Sequence, residues 1–436
     1  MTDEAGAVPV TLSSAVPGVG PWQRWAGQRW RPARLGSFPV AGAVAGLGWH
    51  FSTVLLRPDR TVYYPERLVR LDGGTDPDGG VDPDGGVDPD GGTGPVRAWF
   101  VGSPFTRQPG TWAVRWVGGK ALLGPPSDTD GTLVARTWTG PRPDVAAAGL
   151  AVGFDCVLND TDPGSLGLEF TEVAVPGPLG DYPAWFVPAP GSDDPDTWVI
   201  AVHGRGMDRR ECLRILPTLH RAGLPVLVVG YRNDPGAPPS PDGWYHLGDT
   251  EWTDVQAAVR YALDAGAARI VLYGWSMGAA ISGAFLSRSD LAGRVAGVVW
   301  DCPVVDWWAT LRRQAAARRL PPTLIRVVAA FTRARAGIDL NRLALHRRPP
   351  AHRPPTLVFH GALDSATPAA ATRVLAAAAA RLGWPLRYVE VPGAEHTATW
   401  NADPEGYEAA VMEFLDALTP TSARASPAQW HDGARD

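Results

Sequence analysis

The residues best suited to chemistry in this 436-residue chain form a short serine motif flanked by glycines. The pentapeptide Gly-Trp-Ser-Met-Gly at 274–278 directly follows the apolar run Ile270–Tyr273 and precedes a run of small residues that begins at Ala279. This order predicts a strand, a tight turn and a helix, with the hydroxyl held at strained backbone angles. Glycine is needed on both sides because the turn is tight. We therefore interpret Ser276 as a nucleophile for acyl transfer.

A serine hydroxyl is a weak nucleophile at neutral pH, so it needs a base that a third group orients. In sites built on such an elbow the order along the chain is serine, acid, histidine. His396 follows the apolar run Leu386–Val391 and precedes the last helical run, and we predict that it is the base. The other histidines precede the serine, lie in a His-Gly turn that ends a strand, or fall in an inserted region or the tail.

The orienting acid is expected at the end of a strand between the serine and the histidine. Asp364 follows the apolar run Thr356–Phe359, and Asp301 follows the earlier run Val298–Trp300. Some proteins with this kind of elbow place the acid at the earlier position. We predict that Asp364 is the acid and that Asp301 is a buried, hydrogen-bonded structural group.

Two aligned backbone N–H groups are needed to stabilise the oxyanion that forms during acyl transfer. One is expected to be the amide of Met277, which follows the nucleophile. The other is expected in the loop 203–206 after the apolar run Trp198–Val202, and we assign it to the amide of Arg205. The side chain of Arg205 would then be available to steer a carboxylate of the substrate.

The pattern of apolar runs positions these residues. Short continuous apolar runs alternate with amphipathic stretches, which predicts an α/β fold with a mostly parallel sheet and helices on both faces. Because parallel strands end at one edge of a sheet, the serine, the acid and the histidine are expected to meet there. The predicted strands are Trp198–Val202, Val226–Val229, Ile270–Tyr273, Val298–Trp300, Thr356–Phe359 and Leu386–Val391, and the predicted closing helix is Glu405–Ala417.

The composition changes along the chain predict several segments. They are a poorly ordered N-terminus (1–36), an apolar helix (37–57), a small β-rich region (58–165) with a flexible Asp/Pro/Gly repeat (76–92), an α/β domain (166–420) and a tail (421–436). Within the α/β domain, residues 303–355 are inserted between two strands, and we predict a cap over the serine. Trp307 and Trp308 of this insertion, with Trp275 of the elbow, would line an apolar substrate pocket. The alternative is that the insertion packs against the sheet.

Charge and cysteine content limit the classes of partner. The net charge of −5 argues against a nucleic-acid-binding protein, which normally presents a basic surface. Cys156, Cys212 and Cys302 are few, odd in number and far apart, so we expect buried free thiols in a reducing cytoplasm. An arginine-rich stretch precedes the apolar residues 38–56, which leaves association with a membrane through an N-terminal anchor as the alternative location.

The motifs together resemble those of bacterial serine hydrolases with the α/β-hydrolase fold. The elbow, the His-Gly-Arg-Gly loop, the segment His-Gly-Ala-Leu-Asp-Ser-Ala-Thr-Pro and the histidine loop carry the likeness, which covers about residues 166–418. The closest resemblance is to the prolyl-oligopeptidase and serine-aminopeptidase-like groups, without the β-propeller of the former. It implies hydrolysis of a small ester, thioester or amide substrate, with neither a metal nor an organic cofactor.

Two other functions remain open at this stage. An aminopeptidase-like amidase would need an anionic residue to hold the free amine of its substrate, and Asp234 and Glu251 are candidates for it. A non-catalytic protein with a hydrolase fold would use the same pocket for binding alone, because a fold does not establish an activity.

Overall fold

The computed structural model describes most of the chain, namely residues 40–60, 63–73, 96–143, 147–158, 161–191 and 196–418. The predictions for the N-terminus (1–36), the Asp/Pro/Gly repeat (76–92) and the tail (421–436) concern segments that lie outside these residues.

A closed six-stranded barrel occupies the region predicted to be β-rich. Its neighbouring strands are all antiparallel, in the order β1-β2-β5-β4-β3-β6. Large aromatic residues fill the interior, where the rings of Trp116 and Trp138 lie 5.4 Å apart. The strands are β1 (Glu66–Asp72), β2 (Arg97–Val101), β3 (Trp112–Trp116), β4 (Gly119–Asp130), β5 (Leu133–Thr139) and β6 (Leu150–Asp155).

An eight-stranded sheet forms the centre of the second domain, in the order β14-β13-β12-β11-β9-β10-β8-β7. The strands from β14 to β10 run parallel, whereas β8 is antiparallel to both of its neighbours. The predicted mostly parallel sheet is therefore confirmed. Its strands are β7 (Thr171–Gly177), β8 (Gly180–Val187), β9 (Thr197–Val202), β10 (Val226–Val229), β11 (Arg269–Trp275), β12 (Val295–Asp301), β13 (Thr356–Gly361) and β14 (Leu386–Val391).

Helices cover both faces of this sheet because each central strand is apolar on both sides. On β11, Leu272 belongs to the apolar cluster on one face, and the adjacent Val271 belongs to the cluster on the other. In the described residues, helix α1 (Val40–Leu56) precedes the barrel. The others are α2 (Leu216–Arg221), α3 (Trp252–Asp264), α4 (Met277–Arg288), α5 (Trp307–Ala317), α6 (Pro322–Ala336), α7 (Ala369–Ala379), α8 (Thr399–Ala402) and α9 (Pro404–Leu418).

Helix α1 packs against α6, which belongs to the predicted cap. Gly48 lies so close to α6 that a Cβ atom there would stand 2.6 Å from Val327 Cγ1 and 2.9 Å from Phe331 Cδ2. The guanidinium of Arg335 lies 4.0 Å from the ring centroid of Trp49, and Leu55 at the end of α1 is fully buried. None of the helices in the described residues combines the length and apolarity needed to cross a membrane.

The close contact between α1 and α6 yields a stability prediction with a matched control. Gly48→Leu should separate the two helices and lower the free energy of unfolding by about 1–3 kcal/mol, because overpacking forces the backbones apart. Gly46→Leu lies on the exposed side, where an added Cβ meets nothing within 4 Å, so it should be neutral or stabilise through helix propensity. Thermal unfolding measures both variants, and equal melting temperatures would contradict the packing described.

Candidate functional site

Ser276 lies at the sharp turn between β11 and α4. Its backbone angles, φ 50° and ψ −111°, are rare for any residue other than glycine and cost about 1–3 kcal/mol. A side chain at Gly278 would collide with the carbonyl of Val202, and a Cβ at Gly274 would lie 2.8 Å from the amide nitrogen of Ala279. Close backbone packing therefore explains why the two glycines of the motif are needed.

The structure brings Ser276, His396 and Asp364 together at the carboxyl edge of the sheet. His396 Nε2 lies 2.9 Å from Ser276 Oγ, and its Nδ1 lies 2.7 Å from Asp364 Oδ2. All three side chains are buried, since their residues are 1%, 9% and 5% exposed in that order. An imidazole bonded on one side to a hydroxyl and on the other to a carboxylate can remove a proton from the hydroxyl.

The carboxylate of Asp364 is fixed by several donors besides His396. Its Oδ1 accepts hydrogen bonds from the amides of Ala366 and Thr367, and its Oδ2 accepts one from the hydroxyl of Thr367. Burial alone would raise the pKa of Asp364. The positive charge of His396 and hydrogen bonds from His360 and His396 outweigh that effect and hold the pKa far below its usual range. The group is therefore an anion that orients the imidazole at neutral pH.

The environment also changes the pKa of His396. Burial by itself lowers this pKa, but the negative charge of Asp364 and its hydrogen bond act in the opposite direction, with smaller contributions from Glu395 and Glu211. The net effect raises the pKa above its usual value. A general base acts in its neutral form, so activity that depends on His396 should decline on acidification at a pH above about 6.5.

Asp301, the rival acid, lies away from the imidazole in the hydrogen-bond network. It is fully buried at the end of β12, and its Oδ2 accepts hydrogen bonds from Thr399 Oγ1 at 2.7 Å and Tyr407 Oη at 3.2 Å. These two residues lie in α8 and α9, so Asp301 ties the closing helices to the sheet. Its surroundings are those expected of a buried structural acid.

The expected oxyanion donors lie at the positions that the elbow and the loop after β9 provide. Met277 is the first residue of α4, and N–H groups in the first turn of a helix have no partner within it. The loop after β9 passes beside the serine, because a Cβ at Gly204 would stand 3.2 Å from Ser276 Cβ. The amide of Gly204 already donates to Glu211 Oε2 at 2.6 Å, which leaves the next amide, that of Arg205, as the candidate from this loop.

The prediction for the Arg205 side chain is wrong. Its residue is only 2% exposed, and its guanidinium donates to the carbonyl oxygens of Val54, Leu55 and Arg57. These carbonyls lie at the carboxyl end of α1, where a cation is favoured by the unsatisfied oxygens and by the helix dipole. The side chain therefore binds the end of α1 instead of a substrate carboxylate.

A small cavity lies over Ser276, and the barrel forms one side of it. Its volume is about 30 Å³. We call it the serine cavity. Ser276, His396, Gly204, Met207, Glu211, Ser365, Glu395 and Thr397 line it from the sheet domain, and Phe105, Trp112, Asp155 and Cys156 line it from the barrel. The role of cover expected for residues 303–355 is therefore taken by the barrel.

The three tryptophans predicted to line the pocket lie elsewhere. Trp275 stacks on Tyr273, with ring centroids 4.5 Å apart, and is buried under the face that α2 and α9 cover. Trp307 is fully buried and donates to the carbonyl of Leu247, and Trp308 donates to Asn341. None of them lines the serine cavity. Trp307 and Trp308 belong to α5, which packs with α1 and α6 in the apolar cluster on one face of the sheet.

The carboxylates proposed to hold a free amine are also engaged elsewhere. Asp234 lies 2.7 Å from His203 Nε2 and accepts a hydrogen bond from Arg60, whose guanidinium also donates to the carbonyl of Met207. Glu251 accepts hydrogen bonds from the amides of His246 and Gly248. Asp155, Glu211 and Glu395 are instead the carboxylates that line the serine cavity.

Sequence reasoning missed a buried arginine that connects the loops of the site. Arg214 donates to the carbonyl of Thr397, directly after the histidine, and to Asn401 Oδ1. It also donates to Glu211, the residue that binds the amide of Gly204. No sequence motif marked Arg214. Its acidic neighbour three residues earlier, in an otherwise apolar segment, was the one available signal.

Asn401 extends this network to the barrel. Its side-chain amide donates to the carbonyls of Thr111 and Cys156, at 2.9 Å and 3.0 Å. Nearby, Gln108 of the barrel accepts a hydrogen bond from the amide of Glu395, which precedes the histidine. The loop that carries His396 is therefore bonded to the barrel on one side and to Arg214 on the other.

One buried group could present ligands to a metal ion. Cys302, His360 and Asp364 have donor atoms within 4.8 Å of one another. No other such group is found among the described residues. Burial and the charges of Asp301 and Asp364 raise the pKa of the Cys302 thiol well above its usual value. His360 Nδ1 already bonds Thr372, and Asp364 already bonds His396. A neutral thiol and two engaged side chains fit a hydrogen-bonded cluster better than a metal site.

Part of the second domain matches the model of a known protein family. Residues 240–420 match the model of the prolyl oligopeptidase family. The chain is 29% identical over 289 residues to an uncharacterized protein of Mycobacterium tuberculosis, covering 64% of this chain and 82% of that protein, and the match is the same in two strains.

Solved esterases are also similar. The Pyrococcus furiosus esterase Pf2001 is 21% identical, with a TM-score of 0.47, over 60% of this chain and 95% of that one. Carboxyl esterase 2 of Tuber melanosporum is 19% identical, with a TM-score of 0.44, over 58% and 88%.

The second domain is thus an α/β-hydrolase domain, and the protein is a serine hydrolase. Within this domain, residues 240–420 carry the match to the prolyl oligopeptidase family. The resemblance inferred from the motifs is confirmed, as is the fold class.

The two candidate acids can be separated by matched substitutions. If Asp364 orients the base, Asp364→Asn should lower kcat by about 10⁴-fold and move the acidic limb of the pH–rate profile to lower pH, because the charge that raises the pKa of His396 is lost. Asp301→Asn should leave that limb in place. Steady-state kinetics between about pH 5 and 9 test both variants. A larger loss in Asp301→Asn would contradict the assignment.

The arginine network yields a second kinetic prediction. Arg214→Lys keeps a positive charge but cannot reach Thr397, Asn401 and Glu211 together, so the histidine loop should lose its fixed position. We expect kcat to fall by about 10- to 100-fold with little change in KM, the size of effect that small misplacement of reacting groups produces. Arg221→Lys, at an exposed ion pair with Glu408, is the control. Equal kcat values for the two variants would exclude a positioning role.

Proposed function

We propose that the protein hydrolyses a carboxylic ester through an acyl-enzyme on Ser276. The observation that supports this most is the pair of hydrogen bonds of His396, at 2.9 Å to the hydroxyl and 2.7 Å to the carboxylate of Asp364. A small cavity that the barrel covers also suits a small ester better than a polypeptide. Three buried free thiols favour a reducing compartment, and we propose a cytoplasmic location.

The reaction follows from the roles proposed. Ser276 Oγ attacks the ester carbonyl while His396 Nε2 takes the hydroxyl proton, and the amides of Met277 and Arg205 stabilise the oxyanion. The C–O bond to the leaving group then breaks, and the alcohol receives the proton from His396. Water, deprotonated by the same imidazole, attacks the acyl-enzyme. The bond between the acyl carbon and Ser276 Oγ then breaks, Oγ takes the proton back from His396, and the acid is released. Asp364 stabilises the imidazolium in both half-reactions.

The test of this proposal is covalent labelling combined with turnover. Ser276→Ala should reduce hydrolysis of p-nitrophenyl esters by roughly 10⁶-fold and should abolish labelling by a fluorophosphonate. Ser282→Ala is a matched control, because that buried hydroxyl on α4 donates to the carbonyl of Gly278 in its own helix and makes no other hydrogen bond within the described residues. Labelling that persists in Ser276→Ala would refute the proposal. A folded wild-type protein that is never labelled would favour the non-catalytic alternative.

An aminopeptidase-like amidase is a second candidate because of the carboxylate of Glu395 in the serine cavity. Asp155 and Glu211, which also line the cavity, are paired with Arg115 and Arg214, so Glu395 is the one that would attract the protonated amine of an aminoacyl substrate. Comparison of alanine 2-naphthylamide with 2-naphthyl propionate separates the two activities. A higher kcat/KM for the amide would favour the amidase.

A further inference from the structure

The barrel contributes side chains directly to the serine cavity. Trp112, at the start of β3, and Phe105, in the loop before it, both line the cavity that holds Ser276 and His396. Trp112 is only 2% exposed, its indole N–H donates to the carbonyl of Pro109 at 2.9 Å, and its ring packs near Phe154. The indole is therefore a fixed wall rather than a mobile side chain.

Contacts between the two domains hold this wall in place. The apolar core of the barrel includes Met207 and Ala398, which come from the two loops that flank Ser276. Arg136, fully buried on β5, donates to the carbonyls of Thr106, Gln108 and Gly110 and so fixes the loop that carries Phe105. Both aromatic side chains thus have a defined position relative to the serine.

The cavity also has a distinct charge. Asp155 pairs with Arg115 and Glu211 with Arg214, but the contacts of Glu395 in the described residues are the amides of Ser365 and His396 and the hydroxyl of Ser365. One carboxylate of the cavity is therefore not balanced by an arginine. An anionic group placed beside it would experience like-charge repulsion at low dielectric.

We propose that the barrel and Glu395 together set the substrate range of the site: Trp112 and Phe105 limit the acyl group to a short chain, and the carboxylate of Glu395 excludes acyl groups that carry a negative charge. This rests on the proposed ester hydrolysis. The acyl part is the one constrained, because it stays attached to Ser276 through both half-reactions while the leaving group departs. The rigid indole and Phe105 narrow the space beside Ser276, so each methylene added to the acyl chain has to find room against them.

The size limit can be tested with 1-naphthyl acetate, butyrate and octanoate. For the wild type we expect kcat/KM for butyrate to exceed that for octanoate by at least tenfold. Trp112→Ala should reduce this ratio at least tenfold by opening space along the cavity. Trp116→Ala is the matched control, because this equally buried tryptophan on the same strand packs on Trp138 and does not line the cavity. The control should keep the wild-type ratio.

A second variant keeps the test decisive if Trp112→Ala does not fold. Phe105→Ala removes a partly exposed side chain of a loop and should shift the ratio in the same direction. The proposal is overturned if the wild type prefers octanoate. It is also overturned if Trp112→Ala and Phe105→Ala, or whichever of them folds, keep the wild-type ratio of kcat/KM for butyrate over octanoate. Fluorophosphonate labelling of Ser276 is measured in parallel. Its absence in the wild type would mean that the ester hydrolysis itself is wrong, whereas labelling with an unchanged ratio would refute the substrate range alone.

The charge limit uses a substrate of matched length. The hemisuccinate of 1-naphthol has the same number of acyl carbons as the butyrate but ends in a carboxylate. In the wild type we expect kcat/KM for the hemisuccinate to be at least tenfold lower than kcat/KM for the butyrate. Glu395→Gln should reduce this difference between the two esters. Equal values for the two esters would refute the exclusion of anions.

Discussion

The position of one loop, residues 395–401, determines whether the site exists. His396 contacts Ser276 and Asp364 of the sheet domain. Before it, the amide of Glu395 donates to Gln108 of the barrel, and after it, the side chain of Asn401 donates to the carbonyl of Thr111 of the barrel. Thr397 has a φ of 53°, which is unfavourable for a β-branched residue, and Arg214 binds its carbonyl. The imidazole is thus placed by groups from both domains. A base on a freely mobile loop would spend much of its time away from the hydroxyl.

Buried charges in this region are arranged in pairs and hydrogen-bonded clusters, as their desolvation requires. The ion pair of Arg214 and Glu211 lies between the loop 203–206 after β9 and the loop that carries His396. The ion pair of Arg115 and Asp155 lies on the barrel side. Burial raises the pKa of both Glu211 and Asp155, while the neighbouring arginines oppose that change. The same side chains therefore fix the architecture of the loops and set the electric field in which the imidazole titrates.

The meeting of Ser276, Asp364 and His396 could be predicted from the sequence because each follows a strongly apolar strand, and parallel strands end at one edge. The barrel's role could not be predicted. Asn401 bonds Thr111 and Cys156 across more than 200 residues of chain, and no local pattern indicates such a contact. The tryptophan predictions failed for a related reason. Trp275 lies in the motif and Trp307 in the insertion, but the sequence does not reveal which face of an element turns toward the serine.

Two arginines connect the start of the barrel to the loop after β9. Arg205 reaches from that loop to the last carbonyls of α1, and Arg60, just beyond α1, reaches back to the carbonyl of Met207. Hydrogen bonds therefore hold the segment between α1 and the barrel at two points. A large rotation of the barrel about this segment would break the hydrogen bonds of both arginines. A movement confined to the rim around Phe105 would leave both sets of contacts intact.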